Sequence, residues 1–271
     1  MKEPDISVII STYNQPEWLE KVLWSYAFQT YTNFEVIIAD DGSDSETKET
    51  IDKMQQEVSY PICHVWHEDL GFRKTVILNK AIEQSKSAYL LFTDGDCVAR
   101  KDFVQTHHEY RKPGYFLSGG YFKLPLSISN KITVDTIRIQ QCFDVEWLIA
   151  QGLRSSFKLQ KLIARGLRQK LLNSLTPTKA TWNGMNSSGY KKDIIEVNGF
   201  DQRMQYGGED RELGERLFNN GIKAKQIRYS AVCLHLFHER GYVKSEMRLR
   251  NDKIRKETKD QKSTWTDYGL V

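Results

Sequence analysis

The stretch YLLFTDGD, residues 89–96, is an apolar run that ends in two carboxylates. The run predicts a buried strand. Ligands of parallel α/β sheets bind beyond the carboxyl ends of the strands, so we expect Asp94 and Asp96 at a ligand-binding edge. Carboxylate oxygens suit Mg²⁺ or Mn²⁺ bridged to a diphosphate. The alternative is a plain strand followed by an Asp-Gly turn, which is the commoner case for an isolated pair of this kind.

Strand and helix patterns alternate upstream of this stretch. Strands are predicted over residues 6–12, 34–39 and 62–66, and helices over 16–29, 44–57 and from about 74. A serine is expected to cap the 44–57 helix. This order predicts an α/β fold with a mostly parallel, right-handed central sheet flanked by helices. No GxGxxG follows the first strand, which argues against a dinucleotide-binding domain.

Downstream, residues 102–111 predict a helix and residues 115–122 a strand that bends at Gly119 and Gly120. The pattern then becomes helical and basic over residues 125–181, which indicates an insertion. A helix predicted there has one apolar and one cationic face. The apolar face comprises Leu159, Leu162, Ile163, Leu167 and Leu171, and the cationic face comprises Lys158, Lys161, Arg165 and Arg168. Such a helix either lies on an anionic membrane or is a solvated face packed on its own domain. Nucleic acid is not an expected partner, because no aromatic residues interleave the basic ones.

Three later segments combine glycine with polar side chains: WNGMNSSG (182–189), VNGFD (197–201) and YGGEDREL (206–213). Glycines beside Glu209 and Asp210 let the backbone approach a ligand at the start of a helix predicted to end near residue 219. N-terminal charging of that helix is the alternative role for the acid pair. The segment VCLHLFHE (232–239) contains His235 and His238, which are either metal ligands or ordinary histidines.

The composition is that of a globular protein. The chain has 271 residues, of which 39% are hydrophobic and 27% charged, and a net charge of +4. This length accommodates one large α/β domain or two small ones. Four scattered cysteines predict free thiols rather than disulfides or a zinc site. The N-terminal stretch MKEPDISVII has too short an apolar run for a signal peptide, so we expect a cytoplasmic location. Peripheral contact with the inner face of the cytoplasmic membrane is a separate hypothesis that rests on the basic helix.

Several of these segments occur together in one order. VIISTYN, ADDGSD, GFRKTVILNKAI, TDGD, NGFD with GGED, and HLFH together resemble the inverting family 2 glycosyltransferases with a GT-A, Rossmann-like fold. The half from 182 to 238 is similar to the galactosyltransferase-type segment of β-1,4-galactosyltransferases and chondroitin-polymerase modules. The resemblance implies a nucleotide-sugar-binding half (1–124), a helical, basic insertion (125–181), an acceptor-binding, catalytic half (182–240) and a helical tail (241–271).

The resemblance also implies a reaction and its residues. A hexose or N-acetylhexosamine would move from a UDP-sugar to a hydroxyl of a glycan or lipid-linked glycan, as in polysaccharide, O-antigen or capsule synthesis, with Mn²⁺ or Mg²⁺. The implied metal ligands are Asp96 and His238, with His235 as the competing choice. Asp210 is the implied general base. The implied donor contacts are Ser11, Tyr13, Asp41, Arg73, Lys74, Asn79 and Asp94, and the implied acceptor contacts are Gly208, Glu209, Trp182 and Asn183.

Some assignments stay open at this stage. The sequence permits Glu209 and Asp210 to exchange roles, and Trp182 either stacks on a sugar or packs in the core. Tyr206 stands where the galactosyltransferases have a tryptophan, which leaves the acceptor platform undetermined. Two other functions are considered: a sugar-nucleotide nucleotidyltransferase, which should carry a glycine-rich phosphate loop after its first strand, and a non-enzymatic basic protein that binds membrane or nucleic acid.

Overall fold

The computed structural model describes residues 3–239 and 244–271. Its strands are β1 (Ile6–Thr12), β2 (Phe34–Asp40), β3 (Ile62–Trp66), β4 (Tyr89–Asp94), β5 (Cys97–Ala99), β6 (Tyr115–Ser118), β7 (Gly120–Lys123), β8 (Ser187–Tyr190), β9 (Lys223–Gln226) and β10 (Val232–His235). The first four coincide closely with the strands predicted from apolar runs.

α-Helices connect and follow these strands in the described chain. They are α1 (Pro16–Ala27), α2 (Ser45–Glu57), α3 (Lys74–Gln84), α4 (Phe103–Tyr110), α5 (Leu126–Ser129), α6 (Val134–Arg138), α7 (Val145–Ala150), α8 (Gln160–Ile163), α9 (Gly166–Leu175), α10 (Lys191–Glu196), α11 (Glu209–Asn219) and α12 (Ser245–Asp260). The predicted serine cap of α2 is wrong, because the side chain of Asp44 accepts the hydrogen bond from the Thr47 backbone N–H. The tail is helical over α12, while residues 241–243 lie outside the described part.

The strands form two sheets. The larger has the order β3-β2-β1-β4-β8-β6-β9, in which β3, β2, β1 and β4 run parallel and β8 is antiparallel to its neighbours. The smaller has the order β5-β10-β7. This arrangement confirms the predicted α/β fold with a mostly parallel central sheet. The carboxyl ends of β1 and β4 lie side by side, since Ser11 pairs with Asp94.

Helices cover both faces of the large sheet, because its central strands are apolar on both sides. Val8 and Ile10 of β1 belong to one core cluster, with Leu19 of α1, whereas Ile9 belongs to the other, with Ile77 of α3. Continuous apolar runs of this kind are typical of parallel strands buried on both faces. The two layers hold the strand ends rigidly, so that loops at one edge can build a site.

The segment predicted as one bent strand, 115–122, forms two strands in different sheets. β6 belongs to the large sheet and β7 to the small one. The chain passes between them at Gly119 and Gly120, where an added Cβ would lie 2.0 Å from Asn186 Oδ1 and from the Arg228 carbonyl oxygen, respectively. Only glycine, which has no side chain, fits these close contacts. The predicted bend is therefore the point at which the chain crosses from one sheet to the other.

The predicted basic helix through residues 159–171 is also wrong in its extent. It is divided into α8 and α9, with Ala164 and Arg165 extended between them. Leu159 and Leu162 are buried in the larger core cluster. Leu167, by contrast, is 85% exposed. The apolar residues that the sequence assigned to one face therefore lie on two different surfaces.

Candidate functional site

Loops at the carboxyl ends of β1 and β4 border a cavity of about 850 Å³. Pockets of this volume accommodate ligands of nucleotide size. The acids Asp94 and Asp96 line one side, and Glu209 and Asp210 at the start of α11 line another. The chain thus brings two pairs of acids, more than a hundred residues apart in sequence, to one cavity.

Asp94 is engaged by two neighbouring side chains. Its Oδ1 accepts hydrogen bonds of 2.6 Å from Ser11 Oγ and of 2.6 Å from Lys74 Nζ. Burial by itself lowers the pKa of Lys74, but the charges of Asp94, Glu209 and Asp210 outweigh it and raise that pKa. Lys74 is therefore a permanent cation between the two acid pairs, suited to bind a phosphate oxygen.

Asp96 lies against both histidines of the VCLHLFHE segment. His238 Nε2 is 3.1 Å and His235 Nε2 3.7 Å from Asp96 Oδ2. Each ring directs its Nδ1 to a backbone carbonyl oxygen, that of Leu236 for His235 and that of Glu239 for His238. A ring that donates through Nδ1 presents the lone pair of Nε2, which is the arrangement found in metal-ligating histidines.

The donor set of these three residues fits a divalent cation. One ligand atom from each of Asp96, His235 and His238 can be chosen so that all lie within 4.8 Å of one another. Burial by itself raises the pKa of Asp96, but its contacts with His238 and His235 outweigh that effect and lower the pKa. A carboxylate with two imidazoles is a more suitable donor set for Mn²⁺ than for Mg²⁺, which favours oxygen ligands.

Asp41 lies at the far end of the cavity in contact with a histidine. Its Oδ1 is 2.8 Å from His67 Nε2, and its Oδ2 accepts a hydrogen bond of 3.0 Å from the Arg73 backbone N–H. Burial raises the pKa of Asp41 against these contacts. Tyr13 borders the same region with 43% of its surface exposed, and its hydroxyl donates to Asp69. The exposed ring of Tyr13 can stack on a base, and the Asp41 carboxylate can accept a hydrogen bond from an N–H of that base.

Glu209 and Asp210 are adjacent but have different surroundings. Burial, then the neighbouring charge of Asp210, raises the pKa of Glu209 to about 7. Glu209 Oε2 accepts a hydrogen bond of 2.8 Å from the Gly207 backbone N–H. Asp210 accepts two, from the backbone N–H groups of Gly184 at 3.0 Å and Arg211 at 2.7 Å. Gly208, which precedes the pair, has a φ of +89°, a conformation that favours glycine. The turn therefore presents both carboxylates to the cavity.

Four of the residues assigned from the resemblance do not line the cavity. Trp182 is fully buried between Phe92 and Phe116, so it packs in the core and does not stack on a sugar. The remaining three are Asn183, Asn79 and Arg73. The structure therefore does not support donor or acceptor contacts through the side chains of these three residues.

The two asparagines have structural roles instead. Asn183 holds a tight turn, since its side chain donates to the Asn186 carbonyl oxygen. Asn79 is 2% exposed and exchanges two hydrogen bonds with the backbone of Phe200, which fastens α3 to the loop before α11. Arg73 contributes only its backbone N–H, at the start of α3.

Sequence reasoning missed other residues that the structure brings to the site. His67 directly follows β3, and the rule that ligands gather at the carboxyl ends of parallel strands could have identified it. Arg211, Arg248 and Arg255 also line the cavity. No local signal marks Arg248 or Arg255, because the position of α12 above the 205–208 turn depends on contacts between distant segments.

Comparison with known proteins agrees with this architecture. Residues 7–112 match the family described as Glycosyl transferase family 2, and residues 177–239 match the family described as N-terminal domain of galactosyltransferase. A validoxylamine A glucosyltransferase of Streptomyces hygroscopicus subsp. jinggangensis is 27% identical over 238 residues, which are 81% of this chain and 52% of that protein. The chondroitin synthase of Escherichia coli is 24% identical over 252 residues, 85% of this chain and 34% of that enzyme. The chain thus spans about half or less of the length of these relatives.

Solved structures show the same fold. The mannosyltransferase PcManGT of Pyrobaculum calidifontis, in complex with GDP-Man and Mn²⁺, has a TM-score of 0.59 at 16% identity, covering 89% of this chain and 59% of that one. TarS 1–349 of S. aureus, in complex with UDP-GlcNAc, has a TM-score of 0.56 at 17% identity, covering 88% and 60%. Residues 7–112 are therefore similar to glycosyl transferase family 2 and residues 177–239 to the N-terminal domain of galactosyltransferase, and the chain has the fold of these glycosyltransferase structures.

Proposed function

We propose that the protein is an inverting, metal-dependent glycosyltransferase that moves a hexose or N-acetylhexosamine from a UDP-sugar to a hydroxyl of a glycan acceptor. The observation that carries the proposal is the joint position of Asp96, His235 and His238 on one side of the cavity and of Glu209 and Asp210 on another. The relatives named above transfer sugars, which favours this reaction over nucleotidyl transfer or plain binding.

The donor would bind against residues 1–124. Tyr13 would stack on the uracil, Asp41 would accept its N–H, and Ser11 and Asp94 would face the ribose. Lys74, held at 2.6 Å from Asp94, would contact the diphosphate. TarS has the same fold in complex with UDP-GlcNAc, and PcManGT has it in complex with GDP-Man. Donors with different nucleotide bases therefore have to be compared.

The leaving group needs charge neutralisation. Asp96, His235 and His238 would hold Mn²⁺, and a cation there would stabilise the departing diphosphate as a Lewis acid. PcManGT is described with Mn²⁺, which agrees with the donor set of this site. Among the described residues, Lys74 supplies a further cation, paired with Asp94 at the end of β4.

The acceptor would bind against residues 182–240. Inversion requires a base on the face opposite the leaving group. Asp210, oriented by the backbone N–H groups of Gly184 and Arg211, would remove the proton from the acceptor hydroxyl. Glu209 and Gly208 would contact the acceptor sugar beside it.

A nucleotide-release assay tests this function. The purified protein with Mn²⁺ is offered UDP-, GDP- and CMP-sugars, and release of the nucleotide is followed. We expect release from one UDP-sugar that requires the metal and is lost in Asp96→Ala, because the variant lacks the carboxylate of the metal site. The matched control is Asp52→Ala, which removes an acid from the exposed surface of α2. Release from none of the donors would contradict the proposal.

We also propose that the protein contacts an anionic membrane through α9. This helix has no buried residue, and two of its polar side chains face inward: Gln169 donates to the Tyr229 carbonyl oxygen and Asn173 Nδ2 to Ser230 Oγ. Its leucines face outward at a spacing of four, with Leu167 85%, Leu171 56% and Leu175 68% exposed.

The charge around α9 identifies the kind of partner. No acidic residue occurs between Trp147 and Lys192, while Arg168 and Lys170 flank the leucines. An apolar stripe flanked by cations is complementary to an anionic lipid surface, where lipid-linked acceptors reside. Within the described residues, no helix is both long and apolar enough to cross a bilayer.

A further inference from the structure

Three arginines line the cavity beside the proposed catalytic acids. Arg211 directly follows Asp210 in α11, whereas Arg248 and Arg255 come from α12. The helix α12 lies outside both segments that match known families, the second of which ends at residue 239. Arg248 and Arg255 lie over the turn from Tyr206 to Gly208 that precedes Glu209.

α12 is fixed rigidly above the turn that carries the acids. Asn251 is fully buried, and its Nδ2 donates to the carbonyl oxygens of Gln205 at 2.7 Å and Gly207 at 3.0 Å. Its Oδ1 accepts a hydrogen bond of 3.3 Å from the Gln205 backbone N–H. The positions of the α12 side chains over the cavity are therefore defined by hydrogen bonds to the 205–207 backbone.

The glycines of the turn let the arginines approach. A Cβ at Gly207 would lie 3.2 Å from Arg248 Cγ, and one at Gly208 would lie 3.0 Å from Arg255 Cδ. The Arg248 guanidinium lies 5.7 Å from the centre of the Tyr206 ring. The arginine stems thus pack on the backbone of the turn while their charged ends reach the cavity.

The charges of these arginines are balanced differently. Arg255 forms an ion pair of 2.5 Å with Glu215. For Arg211 and Arg248, no carboxylate of the described residues lies within 4.0 Å of a guanidinium nitrogen. Arg211 and Arg248 are thus cations without an acidic partner among the described residues, in a cavity otherwise rich in acids. An anionic group can therefore bind to them.

We propose that Arg211 and Arg248 form a subsite for an anionic acceptor, a glycan that carries a carboxylate or phosphate near the hydroxyl that reacts. The guanidinium groups bind the anionic group in a fork of hydrogen bonds, and Tyr206 packs against the adjacent sugar. This subsite rests on the proposed function, and it determines which acceptor is bound rather than how the donor is activated.

Matched acceptors test the subsite once a donor is known. Phenyl β-D-glucuronide is compared with phenyl β-D-glucoside, and methyl glucoside 6-phosphate with methyl glucoside, by the nucleotide released above the acceptor-free rate. We expect at least a tenfold lower KM for the anionic member of one pair. The pair that responds distinguishes a carboxylate from a phosphate. Equal KM values within both pairs, or no response to any of the four compounds, would overturn the proposal.

Variants on one helix separate this role from general effects of charge. Arg248→Gln should raise the KM of the preferred anionic acceptor at least tenfold and leave the KM of its neutral counterpart nearly unchanged. Arg250→Gln removes the same charge from an exposed position of α12 outside the cavity, and should change neither. A rise in the donor KM in Arg248→Gln, with no change for the acceptor, would assign the arginine to the donor. Absence of nucleotide release from the unaltered protein would instead count against the proposed function itself.

Discussion

Glu209 and Asp210 are adjacent in sequence, but their surroundings differ, and their chemical properties differ with them. Both follow the Gly207-Gly208 turn, yet Asp210 accepts hydrogen bonds from two backbone N–H groups, whereas Glu209 accepts one and is buried beside another charge. A carboxylate oriented by two N–H donors is suited to accept a proton from a fixed direction. A carboxyl with a raised pKa is suited to exchange a hydrogen bond with a sugar hydroxyl.

The roles of the two acids predict different kinetics. Asp210→Asn should lower kcat by at least a thousandfold and leave the binding of UDP unchanged, because it removes the base and keeps the size of the side chain. Glu209→Gln should mainly raise the KM of the acceptor. Steady-state rates and calorimetric titration with UDP and Mn²⁺ check both results. Near-normal turnover in Asp210→Asn, with loss of turnover in Glu209→Gln, would exchange the assignments.

The raised pKa of Glu209 predicts a dependence of stability on pH. Its pKa is about 7 in the folded protein and near 4.5 in the unfolded chain, so the folded state binds the proton more tightly. The free energy of unfolding should therefore fall between pH 4.5 and 7, by about 3 kcal/mol for this group.

Thermal unfolding of Glu209→Gln measures this effect. The variant should be more stable than the unaltered protein at pH 8 and nearly equal to it at pH 5, because glutamine does not ionise. Glu49→Gln, on the exposed surface of α2, should show no such difference. An equal change at both pH values would mean that Glu209 ionises normally in the folded protein.

At the scale of elements, α9 departs from the usual arrangement of an amphipathic helix. Most surface helices direct apolar residues to the core. Here Gln169 and Asn173 hold the helix to the loop before β10, while Leu171 faces solvent. Lys161, which the sequence placed on the cationic face, instead donates to the Tyr121 carbonyl oxygen, and burial lowers its pKa to about 8. Variants that test membrane contact should therefore be made in α9 and not at Lys161.

The exposed leucines of α9 predict binding to anionic lipid. The protein should sediment with vesicles containing phosphatidylglycerol, and the variant Leu167→Gln/Leu171→Gln should remain in the supernatant with unchanged thermal stability, since neither side chain is buried. Leu249→Gln, which removes an equally exposed leucine from α12, is the control. Sedimentation that is the same in all three proteins, or absent in each, would contradict the proposed contact.

At the scale of the whole molecule, the metal site joins the two sheets. Asp96 lies between β4 of the large sheet and β5 of the small one, and His235 ends β10. The Asp96 carbonyl oxygen also accepts a hydrogen bond of 2.8 Å from the Leu236 backbone N–H. A cation held there would bind the folded protein and not the unfolded chain, because the ligands come from segments about 140 residues apart in sequence.

Binding of Mn²⁺ with UDP should therefore raise the unfolding temperature. A ligand at a hundred times its Kd adds about 2.7 kcal/mol, which is about 5 °C or more for a protein of this size. The increase should be lost in Asp96→Ala and reduced in His238→Ala and in His235→Ala, and should persist in His108→Ala, whose ring stacks on Tyr31 away from the cavity. An equal increase in all four variants would place the metal elsewhere.

The sequence by itself determined the order of strands and helices in the first half and the edge at which the acids gather. Apolar runs such as 6–12 and 89–94 are local signals, and the ends of parallel strands meet at one edge whatever their partners are. These features depend on periodicity and topology, which a chain carries within a few tens of residues.

Only the tertiary structure decided which distant side chains meet. It placed both His235 and His238 at Asp96, assigned Trp182 and Asn79 to the core, and brought Arg248 over the cavity. It also turned the leucines of α9 outward. The physical reason is that burial and contact depend on how whole elements pack together. The same tryptophan or leucine pattern in a sequence can pack in a core, contact a ligand or face a membrane, and only its neighbours in space distinguish these cases.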